Sequence, residues 1–361
     1  MVRWMGRPAS RGAVAGAIAV VALGARAGSS EGIARVGRET VGELAYVTNE
    51  AGRTLSVIDV ATDRVVATIP VGTRPRGVRL APGGRAVYVA LSGSPRCPPT
   101  MPDTECARLQ ADRSLDGIAE VDAVARRVRR VLPGGTDPEQ FALSPDGRRL
   151  YAANEDAGAA SIVDVPTGRV LMSVPVGREP EGVRVSPDGR LAYVTSEAGN
   201  TVTALDAQTG RVRWHTTVDA RPRDLVATAD GRHLYVSTEV GGSVDVLDGQ
   251  RDSMLARIAL PDGSKPMGLA LSTDGATLFV ATGRHGTVEI VDTHMRAVVG
   301  SVRVGARPWG VALAANGRKL YVANGSSNDV SVIDTDARRV TTTIPVGALP
   351  WGIAVGAAPG R

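Results

Sequence analysis

Short runs of Val, Leu, Ile and Ala alternate with clusters of Gly, Asn, Ser and Asp along most of the chain. The segment 307–346 shows this pattern most clearly, with four apolar runs separated by three turns. Short runs rich in β-branched residues and bounded by turn residues are typical of β-strands. One four-stranded unit cannot bury both of its faces, so the pattern requires further copies of the unit.

Three marker residues each recur seven times, at steps of 42 residues except for one step of 63 and one of 44. The aspartates that end the third strand are Asp59, Asp122, Asp164, Asp206, Asp248, Asp292 and Asp334. The aromatic residues of the second strand are Tyr46, Tyr88, Tyr151, Tyr193, Tyr235, Phe279 and Tyr321. The prolines before the first strand are Pro75, Pro138, Pro180, Pro222, Pro266, Pro308 and Pro350. This repeat predicts an all-β protein, a seven-bladed β-propeller of four-stranded blades.

The two ends of the repeat complete one blade. The apolar runs at 44–48, 55–59 and 65–69 match the second, third and fourth strands, and the run at 351–355 matches the missing first strand. We therefore predict a propeller over 41–356, closed by pairing the C-terminal strand with the N-terminal blade. Such closure removes open sheet edges. Residues 357–361 form a short tail.

The N-terminal residues 1–27 read as an export signal. A basic segment precedes an apolar run at 13–23 and a small-x-small cleavage site at 25–27, which is the arrangement of a signal peptide. The apolar run is short for a membrane span, so we expect no transmembrane segment after cleavage, with an uncleaved anchor as the alternative. Residues 28–40 form a polar lead-in. The expected location is periplasmic or secreted.

The step of 63 residues places a loop insertion at 93–115, between the second and third strands of one blade. The loop contains Cys97 and Cys106 among four prolines. In an exported protein, two cysteines in one such loop are predicted to form a disulfide. The alternative is metal binding, but Cys-x8-Cys without a neighbouring His is not a zinc spacing.

The formal net charge is +5 and the pI is about 9.6. The basic residues stand mostly singly in turns, with acidic residues among them, so we predict a solvated surface and no nucleic-acid partner. Aromatic residues make up only 3% of the chain. The core must therefore be built from Val, Leu, Ile and Ala.

Two positions in each repeat vary in chemistry while the scaffold around them does not. One directly follows the marker proline, and the other lies four residues after the second-strand aromatic residue. Both belong to loops on the same propeller face, where the first strands enter the central channel. Together they predict a ligand-binding funnel of Arg76, Glu139, Glu155, Glu181, Glu197, Arg223, Glu239, Trp309 and Trp351.

The funnel residues allow more than one interpretation. Glu139, Glu155, Glu181 and Glu197 come from adjacent blades and could hold a divalent cation. The alternative is that these glutamates pair with arginines across neighbouring blades. The four histidines do not cluster, and no nucleophile elbow or phosphate-binding loop follows a strand and opens a helix. We therefore assign no catalytic residue and expect no resident cofactor.

Several strings resemble a known family. YVTN at 46–49, YVAN at 321–324 and SVID at 331–334 resemble the YVTN family of seven-bladed propellers, and DPEQFALSPDG at 137–147 resembles the PQQ-dependent catabolism-associated β-propeller proteins. The resemblance implies an exported protein that works beside a quinoprotein alcohol-oxidation system. Its implied partners are a periplasmic quinoprotein dehydrogenase or a c-type cytochrome. The cysteine-containing insertion departs from the family pattern.

Three functions remain open on these grounds. The favoured hypothesis is a non-catalytic, monomeric binding or scaffold protein that is accessory to a quinoprotein system. The alternative is a propeller enzyme, either a lactonase-type or a metal-dependent hydrolase, acting at the central funnel. The third hypothesis is a surface adhesion propeller.

Overall fold

The computed structural model describes residues 42–96, 101, 103–106 and 108–360. The predicted signal peptide 1–27 and the lead-in 28–40 lie outside the described residues. Cys97 and the side chain of Cys106 also lie outside them, so the predicted disulfide stays a prediction.

The strands form seven four-stranded antiparallel sheets. The innermost strands are β28 (Pro350–Ala357), β4 (Val78–Leu80), β8 (Pro138–Leu143), β12 (Pro180–Val185), β16 (Pro222–Ala227), β20 (Pro266–Leu271) and β24 (Pro308–Leu313). The second strands are β1 (Glu43–Asn49), β5 (Ala86–Leu91), β9 (Arg149–Asn154), β13 (Leu191–Ser196), β17 (His233–Thr238), β21 (Thr277–Thr282) and β25 (Lys319–Asn324). The third strands are β2 (Thr54–Asp59), β6 (Gly117–Asp122), β10 (Ala159–Asp164), β14 (Thr201–Asp206), β18 (Ser243–Asp248), β22 (Thr287–Asp292) and β26 (Asp329–Asp334). The outer strands are β3 (Arg64–Pro70), β7 (Arg127–Leu132), β11 (Arg169–Pro175), β15 (Val212–Thr217), β19 (Met254–Ala259), β23 (Ala297–Arg303) and β27 (Arg339–Pro345).

We number the blades by their second strands, so that blade 1 contains β1 and blade 7 contains β25. The innermost strands contact one another in sequence around a central channel. Seven hydrophobic clusters fill the spaces between neighbouring blades, one for each of the seven interfaces. The predicted seven-bladed propeller of four-stranded blades is therefore confirmed.

Blade 1 is assembled from the two ends of the propeller. Strand β28 pairs with β1 in antiparallel register, with Ala45 opposite Val355 and Val47 opposite Ile353. The sheet order is β28-β1-β2-β3, as the sequence pattern predicted. Beyond the strand, the amide of Ala358 donates a hydrogen bond to the carbonyl of Gly42 at 2.7 Å.

The marker residues have structural roles in every blade. The second-strand aromatic residues are buried between blades, and the hydroxyl of Tyr193, for example, donates to the carbonyl of Gly249 in the next blade at 2.6 Å. The aspartate that ends each third strand shapes the following turn. In blade 1 the Asp59 carboxylate accepts hydrogen bonds from the amide and hydroxyl of Thr62, both at 2.8 Å. This aspartate therefore has a structural role in the turn.

Glycines and hydroxyl groups bring the innermost strands close together. A Cβ atom at Gly182, two residues after the marker proline, would lie 2.2 Å from the carbonyl oxygen of Arg223 in the next blade. The hydroxyl of Thr195 in β13 accepts a hydrogen bond from the Gly182 amide at 2.7 Å and donates to the same Arg223 carbonyl at 2.9 Å. This bridge fixes the position of Arg223 in the channel.

We expect Thr195→Val to destabilise the protein by about 1–3 kcal/mol, because the substitution leaves a buried amide and a buried carbonyl without their partner. Urea unfolding measures the effect. The matched control is Thr217→Val on the exposed side of β15, which should stay within about 0.5 kcal/mol of the natural protein. Equal stability of both variants would contradict the bridging role.

The loop inserted between β5 and β6 contains a four-residue helix, α1 (Asp103–Cys106), and a 3-10 turn over Arg113–Leu115. Its two ends are joined by a hydrogen bond from the Gly93 amide to the Asp116 carboxylate at 2.7 Å. The described residues include no helix long and apolar enough to cross a membrane.

Candidate functional site

The mouth of the channel is formed by loops that enter the innermost strands. In six blades the residue directly before the marker proline has a positive φ, a conformation that costs about 1–3 kcal/mol for a residue other than glycine. These residues are Arg74, Asp137, Glu179, Arg221, Arg307 and Leu349, with φ between 42° and 64°. The repeated geometry places a side chain on each side of the proline at the mouth.

Arg76 is the centre of the first polar cluster. Its side chain is 3% exposed and forms ion pairs with Asp137 and Glu139, while Glu155 lies 3.7 Å away. Burial opposes ionisation of Asp137, but the Arg76 charge and hydrogen bonds from Ser92 and Ser94 lower its pKa on balance. Burial raises the pKa of Glu155.

Arg223 is the centre of the second polar cluster, which takes two glutamates from the preceding blade and a third from its own blade. Its guanidinium pairs with Glu181, with Glu197 at 2.6 Å and with Glu239 at 2.6 Å. Arg221 adds a second positive charge beside Glu197. A buried charge needs such pairing to offset the loss of its hydration.

Two glutamates of the Arg223 cluster, Glu181 and Glu239, have shifted pKa values. Burial raises the pKa of Glu181 well above its ordinary value, and the neighbouring Glu197 raises it further, although Arg223 opposes both effects. For Glu239, burial is outweighed by the charge and hydrogen bonds of Arg223, so its pKa is lowered. Relative to an ordinary glutamate, Glu181 therefore keeps its proton to a higher pH and Glu239 loses its proton at a lower pH.

Two tryptophans also line the mouth. The rings of Trp309 and Trp351 stack with centroids 5.4 Å apart. The guanidinium of Arg307 lies 5.0 Å from the Trp309 ring centroid and that of Arg223 lies 5.8 Å from it, which is within cation–π range. A Cβ atom at Gly325 would come within 3.2 Å of Trp309, so glycine at this position makes room for the ring.

The structure brings all nine predicted funnel residues to the channel or its mouth. The glutamates among them do not form one group of carboxylates. The glutamates divide between the Arg76 and Arg223 clusters, and Trp309 and Trp351 form a separate wall. Cavities of about 330 and 180 Å³ share Arg223, Trp309 and Trp351 in their linings, so the channel and its mouth are continuous. Ligand binding by these residues stays a prediction.

The sequence did not reveal several channel residues. Arg74, Asp137, Arg221 and Arg307 precede the marker proline, and the left-handed backbone that turns them to the mouth is not visible in the repeat. The others lie deeper in the innermost strands: Arg79, Gln140, Arg184 and Asp224. Charged or amide residues at inner-strand positions that are Gly, Ala or Val in most blades were a readable signal for them.

Within the described ranges, no group of three or more His, Cys, Asp or Glu side chains has an arrangement suited to a metal ion. The divalent-cation site at Glu139, Glu155, Glu181 and Glu197 stays a prediction. In the structure, the carboxylates of these four glutamates lie beside Arg76 or Arg223.

We expect Glu181→Gln to become more stable relative to the natural protein as the pH rises from 5 to 8. The folded pKa of Glu181 lies above its unfolded value, so the natural protein has this contribution in full at low pH and loses it as the pH rises through the folded pKa. Glutamine does not titrate. The expected gain is about 1.4 kcal/mol per unit of pKa shift, measured by urea unfolding at the two pH values.

Glu239→Gln is the matched control, because the pKa of Glu239 is lowered. The natural protein keeps that contribution above the unfolded pKa and loses it as the pH falls through the folded one. The control should therefore change with the opposite sign, and only below about pH 4.5. A pH-independent effect of Glu181→Gln would contradict the raised pKa.

A protein-family model matches most of this chain. The model of YNCE-like beta-propellers matches residues 99–359. The chain belongs to the YNCE-like beta-propeller family. The match covers well over half of the chain and includes the last six of the seven marker prolines. No curated protein matches the sequence.

Solved propeller structures resemble the chain at low sequence identity. A hydrazine synthase chain from Kuenenia stuttgartiensis is 22% identical, with a TM-score of 0.69 over 80% of this chain and 92% of that one. A functionally unknown protein from Desulfotomaculum acetoxidans DSM 771 is 16% identical, with a TM-score of 0.71 over 87% and 99%. A candidate 6-phosphogluconolactonase from Bacteroides fragilis NCTC 9343 is 15% identical, with a TM-score of 0.71 over 88% and 98%. At these identities the likeness shows the fold alone.

Proposed function

We propose that this protein is an exported, non-catalytic binding propeller that is accessory to a periplasmic quinoprotein oxidation system. Its partner is a quinoprotein dehydrogenase or a c-type cytochrome that docks on the channel mouth. The export signal at 1–27 and the resemblance of 137–147 to quinoprotein-associated propellers support the setting.

One observation carries the non-catalytic part of the proposal. The two arginines at the mouth, the buried Arg76 and the half-buried Arg223, are each paired with several carboxylates. A general base needs a free lone pair directed at substrate, and a cation site needs carboxylates that are not already neutralised. Here the same carboxylates hold the innermost strands of neighbouring blades together, which suits a rigid binding platform.

The binding part of the proposal rests on the tryptophan wall, and in particular on Trp309. Trp309 is half-buried, Arg307 beside it is exposed, and both line the cavities at the mouth. Tryptophan and arginine are the residues most enriched among those that dominate the binding energy of protein interfaces. An aromatic ring held between cations offers a partner both apolar area and hydrogen-bond donors.

The test is affinity capture from a periplasmic extract of the source organism, with mass spectrometry of the bound fraction for proteins, quinones and metals. We expect a quinoprotein dehydrogenase or a c-type cytochrome to be captured by the natural protein and lost by the double variant Arg307→Ala, Trp309→Ala. The control is Arg232→Ala, an 80% exposed arginine in a turn at the far end of the channel. Capture of neither partner, or equal capture by the double variant, would refute the proposal.

A hydrolase remains the second candidate, because Glu181 combines a raised pKa with a position in the channel cavity. Titratable groups with shifted pKa values in a cleft are candidates for acid–base chemistry. The test is hydrolysis of a set of lactones, with and without added calcium or zinc. Turnover that Glu181→Gln abolishes would replace the binding proposal with this one.

A further inference from the structure

The channel has a second polar level below the mouth, made by residues that differ from those of the other blades. Two residues after the marker proline, five blades have glycine, while blades 3 and 5 have Gln140 and Asp224. Four residues after the proline, five blades have Ala or Val, while blades 2 and 4 have Arg79 and Arg184. All four polar residues line the same cavity, and they come from four consecutive blades.

Arg79 has only uncharged partners. Its guanidinium donates to the carbonyl of Val78 at 2.8 Å and to the side-chain oxygen of Gln140 at 3.0 Å. Its Nε atom is buried and has no hydrogen-bond partner among the described residues. A buried donor without a partner costs about 1–3 kcal/mol, and more when it is charged. The Arg79 guanidinium therefore has no carboxylate partner among the described residues, although it lines the channel cavity.

Arg184 is only partly neutralised. Its Nε donates to the carbonyl of Leu225 at 2.7 Å, and its Nη2 lies 3.5 Å from the carboxylate of Asp224. That carboxylate also accepts hydrogen bonds from the amides of Leu225 at 2.8 Å and Leu269 at 3.0 Å. Because Asp224 serves several donors, Arg184 does not have a dedicated counter-ion.

The two arginines are close enough to affect each other. Burial, and next the positive charge of Arg184, lower the pKa of Arg79 to about 9. Arg79 remains charged at neutral pH. Three arginines, Arg79, Arg184 and Arg223, line the cavity with two carboxyl groups, Glu181 and Asp224. An anion between the two deep arginines would relieve their repulsion and accept charge-assisted hydrogen bonds from their guanidinium groups.

The rest of the cavity wall is apolar. Met267, Trp309 and Trp351 line it toward the mouth, and Ala312, Ala354 and Val355 line it opposite. The cavity volume is about 330 Å³, at the lower end of the range for small-molecule sites. We propose that the channel binds a small organic anion, with its carboxylate or phosphate group between Arg79 and Arg184 and its carbon skeleton against the tryptophan wall. This site shares Trp309 and Trp351 with the channel mouth, but anion binding in it requires no protein partner.

The probes for a direct test are benzoate, phenyl phosphate and the neutral benzyl alcohol, each titrated into the folded full chain by calorimetry at pH 7. We expect benzoate or phenyl phosphate to bind and benzyl alcohol to bind at least tenfold more weakly. Whichever of the two anions binds with the higher affinity indicates whether the natural ligand is a carboxylate or a phosphate ester. Failure of both anions to bind at 10 mM, or equal binding of benzyl alcohol, would refute the proposal.

Arg79→Gln and Arg184→Gln should each weaken the preferred anion at least tenfold, while Arg129→Gln, a 52% exposed arginine on β7, should leave binding unchanged. Thermal unfolding separates lost binding from lost folding. Without ligand, Arg79→Gln should unfold at the temperature of the natural protein or above it, because the substitution removes a repelled charge. With ligand, only the natural protein and the Arg129→Gln control should be stabilised. Full binding by both deep-arginine variants would overturn the assignment.

Discussion

Deletion of residues 349–361 is expected to abolish the cooperative fold rather than fray one end. Strand β28 is the innermost strand of blade 1, and it pairs with β1 along the whole length of that strand. It also contacts the innermost strands β24 and β4 of the two neighbouring blades. Its removal would therefore open the ring at the point where blades 7, 1 and 2 meet.

The energetic cost is comparable to the whole stability of the protein. Trp351 and Ile353 are buried, and each contributes about 1.5–3 kcal/mol through burial of apolar surface. The deletion also exposes the ladder edge of β1 and the apolar surfaces that face β28. A folded domain is stable by only about 5–15 kcal/mol, so these losses together suffice to unfold it.

The deletion is tested by circular dichroism, by the fraction recovered soluble and by urea unfolding. The control is deletion of 359–361, which leaves the last hydrogen bond between Ala358 and Gly42 in place and should be silent. Addition of a synthetic peptide of residues 349–361 should restore the fold by strand addition, whereas a scrambled peptide should not. A deleted protein that unfolds with a normal midpoint and cooperativity would contradict this account of closure.

Arg223→Met is expected to destabilise the protein by about 3–5 kcal/mol at pH 7, because it leaves buried carboxylates without their counter-charge. The side chains of Glu181, Glu197 and Glu239 are 4%, 9% and 16% exposed and all pair with this one guanidinium. Methionine fills much of the volume, so the loss measures charge rather than a cavity.

The penalty of Arg223→Met should shrink in acid. Without Arg223, burial raises the folded pKa of Glu181 and Glu239 above their unfolded value of about 4.3. A group of this kind contributes fully below its unfolded pKa, and that contribution is lost as the pH rises through the folded pKa. The difference from the natural protein should therefore be smallest near pH 4 and largest at pH 7–8.

Urea unfolding at pH 4, 5, 6, 7 and 8 measures this profile. The matched control is Arg129→Met on β7, whose arginine is 52% exposed and pairs with Asp122 at 2.8 Å. An exposed pair is worth at most about 1 kcal/mol, so the control should be nearly flat with pH. A pH-independent loss for Arg223→Met would mean that packing, not charge, holds the cluster.

The architecture could be predicted because it repeats. Each marker residue acts over a short distance. The aspartate accepts hydrogen bonds from amides of its own turn, and the aromatic residue packs into the space between its blade and the next. Seven copies of such local signals make the strand pattern unambiguous. The missing first strand before residue 44 and the unmatched run at 351–355 then identified the closing pair.

The candidate site could be predicted only as a set of positions. Repeat alignment placed Glu139, Glu155, Glu181 and Glu197 on one face, but their separation into two clusters depends on which guanidinium reaches which carboxylate. The sequence predicted Arg76 and Arg223 only as members of the funnel, whereas in the structure each is the centre of its own cluster. The alternative of glutamates paired with arginines, which the sequence left open, describes the observed contacts.

Thus strand order, blade number and ring closure follow from the amino-acid sequence, since they rest on periodic burial and on turn chemistry that act within some forty residues. The partners of the charged groups required the folded ring. Arg76 meets Asp137 across 61 positions of sequence, and Arg223 meets Glu181 across 42. Which carboxylate a long arginine side chain pairs with depends on distance and on the loss of hydration. The close packing of the innermost strands determines both quantities.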